Sequence, residues 1–315
     1  MPSVRRALVG LALALAVGAT SGCAQRADDP TTEPPPAMRS AAPSPTPSPT
    51  PDVTPSPVPT GALADRPFTV VAVGDSLSTG FDACSFYGDC PEVSWSTGSD
   101  DRVQSVAERL QAATGDPVTT VNVARAGAVV ADLPAQVTAA IAAQPTIVTV
   151  LIGGNDVCRA SVSAMTPAED YATVVDEQLR RITEAVPDAV VLAASTPDVT
   201  ALLDAAAGDE TARFLWSNMG GCATALEDPL SETPDDLDRR EAVRERIRDY
   251  NAALEAACTR VQRCVYDGGA LHDYRPTFGQ LSALDAFHPS VAGLRELAAT
   301  EWDALTAGLG DLEGE

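Results

Sequence analysis

The sequence predicts an α/β domain in which a parallel sheet is covered by helices on both faces. Short β-branched runs recur at 68–73, 118–123, 147–152, 189–193 and 264–266, each long enough for a strand and too short for a helix. Stretches with apolar residues three and four apart separate them, and strands alternating with helices give parallel pairing, because each crossover helix returns the chain to the same end of the sheet. Two of the most apolar runs stop abruptly at Gly74-Asp75-Ser76 and at Gly153-Gly154-Asn155-Asp156. Turn residues there deliver polar side chains to the carboxyl rim of the sheet, where open α/β sheets bind ligands.

The first strand, 68–73, leads to Ser76 and then to an irregular loop holding Cys84, Cys90 and Trp95. Val103, Val106, Ala107 and Leu110 recur at helical spacing and predict an amphipathic helix ending near Gly115. Residues 118–123 form the second strand, closed by Ala124 to Gly127, and 133–143 a helix. Residues 147–152 are the most apolar strand. Thr166-Pro-Ala-Glu169 has the pattern of a capping box with proline at the first helical position, ahead of a buried stripe of Tyr171, Val174, Val175, Leu179 and Ile182. After the fourth strand, residues 196–238 are rich in Pro, Gly and Asp, and are read as an excursion over the active face. A long helix at 241–261, the fifth strand, a loop carrying Asp285 to His288, and a last helix at 290–305 complete the domain.

Upstream of the domain, expected at 65–310, residues 1–24 have the form of a secretory signal. Arg5 and Arg6 precede an apolar core from Ala7 to Val17 that is too short to span a bilayer. Thr20-Ser21-Gly22-Cys23 resembles a bacterial lipobox, with Thr20 where an aliphatic residue is usual. Lipidation at Cys23 and ordinary cleavage after Ala24 both fit. Residues 25–64 are Pro, Ser, Thr and Ala with almost no apolar content, which predicts an extended tether with no core.

The formal charge is −23, and every one of the 21 basic residues is an arginine. Such an excess argues against nucleic acid and strongly anionic surfaces as partners. Apart from Cys23 there are six cysteines, an even number that in an exported chain points to disulfides and not to a metal site. Fifteen pairings are open to them. The preferred set is sequential, Cys84–Cys90, Cys158–Cys222 and Cys258–Cys264, and the middle bond would constrain the unfolded chain by about 4 kcal/mol.

Three strand ends hold residue types that acyl transfer needs. Ser76 is a candidate nucleophile if a base takes its proton, and the chain's two histidines, His272 and His288, are the candidates for that base. His288 is favoured because Asp285 lies three residues away and can hold the ring in one tautomer. His272, in Leu-His-Asp-Tyr, is read as a loop or structural residue. The backbone N–H groups of Ser76 and Gly127 and the Asn155 amide are candidate donors to a developing oxyanion.

Gly74-Asp75-Ser76-Leu77, Gly127, Gly153-x-Asn155-Asp156 and Asp285-x-x-His288, in this order over about 68–307, resemble the blocks of the SGNH hydrolases, also called the GDSL lipases and esterases. The resemblance implies a flavodoxin-like three-layer α/β/α sandwich, a Ser76–His288–Asp285 triad, and an oxyanion hole of Ser76, Gly127 and Asn155. Ser78 stands where a Gly-x-Ser-x-Gly elbow would have its second glycine, which argues against the α/β-hydrolase fold. The expected activity is that of a secreted or lipid-anchored serine esterase or lipase, phospholipase included, acting on carboxylic esters and foremost on lipid esters. No metal or organic cofactor is required, and the chain is expected to be a monomer. A carbohydrate O-deacetylase and a non-catalytic surface lipoprotein are the alternatives, and turnover of a chromogenic ester separates the latter from both enzymes.

Overall fold

The β-branched runs lie side by side. The computed structural model describes residues 60–63, 67–218 and 221–314, so the expected signal, Cys23 and nearly all of the tether lie outside the described residues. β1 (Phe68–Gly74), β2 (Val118–Asn122), β3 (Ile147–Leu151), β4 (Val190–Ala193) and β5 (Cys264–Tyr266) form one all-parallel sheet in the order β2-β1-β3-β4-β5. Between and after them come α1 (Ser76–Thr79), α2 (Val106–Thr114), α3 (Leu133–Ala142), α4 (Gly154–Val157), α5 (Ala168–Ala185), α6 (Ala201–Ala206), α7 (Glu210–Asn218), α8 (Ala223–Leu226), α9 (Pro234–Thr259), α10 (Ala270–Asp273) and α11 (Val291–Gly314).

Alternation of side chains along each strand divides the core in two. Val71, Val73, Val148 and Val150 pack with Val137, Tyr171, Val243 and Tyr250 from α3, α5 and α9. Val70, Ile147, Leu151 and Leu192 face the other way, onto Leu110, Leu294 and Leu305 from α2 and α11. The result is the three-layer α/β/α sandwich with a flavodoxin-like strand order. From β1 the chain moves outwards through α2 to β2, then back across β1 through α3 to β3. The carboxyl ends of β1 and β3 therefore form the crevice where the winding reverses, and Ser76 and Asn155 follow those two strands. Close approach there requires glycine: a Cβ on Gly74 would lie 2.1 Å from the Leu151 carbonyl oxygen.

Several local expectations differ from what is found. Thr166 does not cap α5, because its hydroxyl donates to Asp156 Oδ1 (2.7 Å), and Pro167 is the N-cap residue with no side-chain bond. The long helix begins at Pro234, seven residues before the expected start, capped by the Thr233 hydroxyl accepting from Asp236 N–H. The final helix runs to Gly314 and not to 305. Its last turns have their own partners: Leu309 is buried, and the Glu313 carboxylate accepts the Ala62 N–H. Residues 196–238 hold three short helices, α6 to α8, and His272 sits in the one-turn α10.

Under α11, Glu301 is fully buried with neither carboxyl oxygen hydrogen-bonded, and it faces Asp267, whose carboxylate already accepts from Ser195 N–H, Ser195 Oγ–H, Gly269 N–H and Leu271 N–H. Burial, then the charge of Asp267, push the Glu301 pKa well above its ordinary value. A carboxyl whose folded-state pKa is raised contributes stability below its unfolded value, near 4.3, and that stability is lost as pH rises towards the folded value. Glu301→Gln keeps a donor towards Asp267 and removes the titration. Thermal melts of wild type and variant between pH 5 and 9 should diverge as pH rises, with wild type losing up to about 1.4 kcal/mol per unit relative to the variant. Parallel curves would show that Glu301 carries no raised pKa.

Candidate active site

At the end of β1 the Asp75 carboxylate caps α1, accepting the Leu77 N–H (3.0 Å), and the turn presents Ser76, 8% exposed, at the rim. Gln136 of α3 grips the preceding peptide from both sides: its Oε1 accepts Gly74 N–H (2.7 Å) and its Nε2 donates to Gly74 O (2.9 Å). The loop before α11 brings in His288, 212 residues away in sequence. Its Nε2 lies 2.9 Å from Ser76 Oγ and its Nδ1 2.5 Å from Asp285 Oδ2. With the ring proton on Nδ1 facing the carboxylate, Nε2 offers its lone pair to the serine hydroxyl. The other Asp285 oxygen accepts the N–H groups of Phe287 and His288 (2.8 and 3.0 Å), which fixes the carboxylate to its own loop. The rings of Phe81 (4.9 Å) and Phe287 (5.0 Å) flank the imidazole.

These surroundings set the charges. Burial alone would raise the Asp285 pKa, but the His288 hydrogen bond and charge, with the two backbone N–H groups, hold it below the usual carboxylate value. Burial pushes Asp75, 2% exposed, up to about 7 against the opposing Leu77 N–H. Asp75 is thus a carboxyl poised to change charge next to the nucleophile candidate.

Asn155 arrives on α4 after β3. Its Nδ2 donates to Ala128 O (3.0 Å), and an amide nitrogen carries two hydrogens, so one remains for a ligand. The neighbouring Asp156 is fully buried and accepts Val130 N–H (3.0 Å) and the Thr166 hydroxyl, tying the Asn155 turn to the Gly127–Ala128 loop a second time. Gly127 itself is exposed and in the left-handed region (φ 78°). It is absent from the described residues lining the two cavities at the site, whereas Asn155 and His288 line both. One cavity, of about 90 Å³, is bounded by Ser76 and by apolar side chains including Leu77, Val199, Leu202 and Leu281. The second, of about 330 Å³, lies on the far side of the imidazole. His272 is outside this cluster: its backbone N–H donates to Ser195 Oγ and its Nδ1 is buried without a partner.

Two of the three sulfur bridges lie at the rim, and the third is at the amino end of the sheet. Cys84–Cys90 closes the loop after Ser76, Cys158–Cys222 joins the end of α4 to the start of α8, and Cys258–Cys264 joins α9 to β5. Reduction should loosen the first two loops before it melts the sheet, and a shift of ~1 Å at such a site lowers a rate about a hundredfold. Activity is therefore expected to fall with dithiothreitol at temperatures where far-UV circular dichroism stays native. Full activity after complete reduction, shown by a count of six free thiols, would separate the bonds from the site.

The sequence pattern did not reveal Gln136 or Asp82. Gln136 had a signal, as a polar residue on the apolar face of the 133–143 helix with Leu133, Val137 and Ala140. Asp82 had none. Its partner Asp285 is remote in sequence, and its left-handed backbone (φ 56°) is set by the loop, whose Gly88 N–H its carboxylate accepts (2.7 Å).

Among solved structures, the chain is similar to LAE5, described as an alpha/beta hydrolase enzyme from the metagenome of Lake Arreo, Spain (20% identity, 76% of this chain and 96% of that one, TM-score 0.48). It is also similar to Axe2, an acetylxylan esterase from Geobacillus stearothermophilus (20%, 76% and 94%, 0.47), and to the psychrotrophic esterase EstA from Pseudoalteromonas sp. (14%, 77% and 98%, 0.44). No curated protein matches the sequence. The family model of the GDSL-like lipases and acylhydrolases matches residues 72–295, a span that begins inside β1 and ends in α11, and so takes in every loop described at this rim. By that match the chain belongs to the GDSL-like lipase/acylhydrolase family.

Proposed function

We propose that the domain is an extracytoplasmic serine esterase that cleaves carboxylic esters with Ser76 as nucleophile, His288 as general base and acid, and Asp285 as the group that orients the ring. The observation that carries this reading is the continuous chain Ser76 Oγ, His288 Nε2, His288 Nδ1, Asp285 Oδ2, with contacts of 2.9 and 2.5 Å. Nε2 takes the hydroxyl proton as Oγ bonds to the acyl carbon, then returns it to the alcohol oxygen as the ester C–O bond breaks. Water repeats the sequence: its proton goes to Nε2, its oxygen to the acyl carbon, and the proton then restores Ser76 as the acid leaves. The Ser76 N–H and the free hydrogen of the Asn155 amide stabilise the oxyanion, with Gly127 N–H as the third donor once substrate is bound. The apolar cavity beside Ser76 suits the first few carbons of an aliphatic acyl chain, which supports lipid esters over acetylated sugars.

Hydrolysis of p-nitrophenyl butyrate by the mature domain tests the reading, and a folded, oxidised sample that turns over no ester in a panel of p-nitrophenyl esters, lipid esters and acetylated sugars would overturn it. Asn155→Ala should lower kcat by about 10²–10³ with little change in KM, because an oxyanion donor acts on the transition state. A defect confined to KM would instead assign Asn155 to ground-state binding. Export belongs to the same proposal, supported by three disulfides, and so does a lipid on Cys23. Among the described residues no helix is long and apolar enough to cross a membrane. A Cys23→Ala chain should therefore leave the membrane fraction if the lipid is the anchor.

A further inference from the structure

The cavity on the far side of His288 has a composition unlike the first. Ser76 and Leu77 line only the small apolar cavity, Asp82, Asp285 and Phe81 line only the larger one of about 330 Å³, and His288, Asn155 and Phe287 line both. Resting on the esterase reading, this partition assigns the two halves of the ester. The acyl carbon bonds to Ser76, so its chain lies on the serine side, and the alcohol oxygen takes its proton from His288, so the alcohol extends past the imidazole into the larger cavity.

That cavity has two carboxyl groups and one imidazole on a single wall. A carboxylate oxygen of Asp82, one of Asp285 and a ring nitrogen of His288 all lie within 4.8 Å of one another. Asp82 is 4% exposed, its carboxylate accepts Gly88 N–H, and the basic side chain grouped with it, the His288 imidazole, is already engaged by Asp285. Two acidic side chains share this wall with that imidazole, and among the described residues lining the cavity there is no arginine, while the chain has no lysine at all. Burial raises the Asp82 carboxyl, Gly88 N–H lowers it, Asp285 raises it and His288 lowers it, with a net shift upwards. The rest of the wall is aromatic: Phe81, Tyr87, Trp216 and Phe287 border the same space, and Trp216 is fixed by its indole N–H donating to Ala286 O (3.1 Å). Aromatic faces beside a carboxylate attract alkylammonium groups, which carry positive charge on an apolar surface and need no hydrogen-bond acceptor.

We propose that the larger cavity is a leaving-group subsite for a cationic alcohol, so that the preferred substrates are carboxylic esters of amino alcohols bearing a quaternary or tertiary ammonium. The chain's formal charge of −23 acts in the same direction, by drawing cations towards the molecule at low salt. An anionic alcohol, such as one carrying a phosphate or carboxylate, would meet two carboxylates there.

The test is a pair of esters equal in shape and different in charge: butyrylcholine and 3,3-dimethylbutyl butyrate. The wild-type enzyme should favour the choline ester in kcat/KM by about tenfold or more, the range of a desolvated cation–aromatic contact. In Asp82→Asn the ratio of the two should fall to within about threefold of unity, and a ratio corrects for any general loss of activity in the variant. A second measurement does not depend on a variant folding: tetramethylammonium should inhibit wild-type p-nitrophenyl butyrate hydrolysis competitively, and 3,3-dimethyl-1-butanol should do so at least tenfold more weakly, by the same estimate. A wild-type ratio near unity, a ratio unchanged in Asp82→Asn, or equal inhibition by the two compounds would overturn the subsite and leave the esterase standing. A sample that hydrolyses none of these three esters and no ester of the wider panel would overturn the esterase reading itself.

Discussion

Ser76→Ala is expected to lower ester hydrolysis by about 10⁵–10⁶-fold while the domain keeps its fold, since removing the nucleophile of such a unit costs about as much as removing the whole unit. The Ser76 hydroxyl is hydrogen-bonded to His288, and the side chain lines the small cavity and is not among the residues of either core cluster. The loss should therefore be visible in kcat, and the thermal midpoint should move little. Gln136 continues to grip Gly74, and Asp75 continues to cap α1, so the turn persists without the hydroxyl. A folded Ser76→Ala sample that retains more than about 1% of wild-type turnover would remove Ser76 from the nucleophile role.

Asp285→Asn is expected to cost about 10⁴-fold, and the geometry says why a change of one atom should matter so much. Asp285 Oδ1 accepts two backbone N–H groups and Oδ2 faces His288 Nδ1. Asparagine can keep Oδ1 where it is and place its NH₂ at the Oδ2 position, where it donates to Nδ1. The ring proton then moves to Nε2, and the nitrogen facing Ser76 becomes a donor with no lone pair to take the hydroxyl proton. Substrate affinity should change little, so KM stays near its wild-type value while kcat falls. A loss of less than tenfold would mean that Asp285 is dispensable for holding the tautomer, and would pass that role to Asp82, the other carboxylate within 4.8 Å.

What was legible in the sequence is what local chemistry writes locally. β1 and β3 read from their β-branched runs, and the glycines that end them read as turns because the chain needs to pass close to its neighbours there: Gly74 against Leu151 O, Gly153 with φ 123° and its missing Cβ 2.6 Å from Thr196 Oγ1. Ser76 and Asn155 were singled out by the same strand ends, and His288 by Asp285 three residues before it. Residues 196–238 were not, because their short helices are held by distant partners. Arg239 donates to the carbonyls of Ala223, Thr224 and Glu227, Arg240 to those of Asp228 and Ser231, and Trp216 to Ala286 O. The start of α9 was hidden by the same stretch, although Thr233-Pro234-Asp235-Asp236 carries a capping threonine, a first-turn proline and two first-turn acids. Thr166 shows the converse case. Its local pattern favoured a cap, but a buried Asp156 claims its hydroxyl more strongly than a helix end open to water.

The Cys158–Cys222 bond spans 64 residues and fastens the turn that carries Asn155 to the segment that carries Trp216. A ribosome releases this chain with both sulfurs as thiols, into a cytosol that keeps them so. Until the bond closes, the Asn155 turn keeps its hydrogen bonds to Ala128 and Val130 but has no covalent tie to the segment that bears Trp216. On the export reading proposed above, the site would gain this last covalent tether only after the chain has left the cytosol.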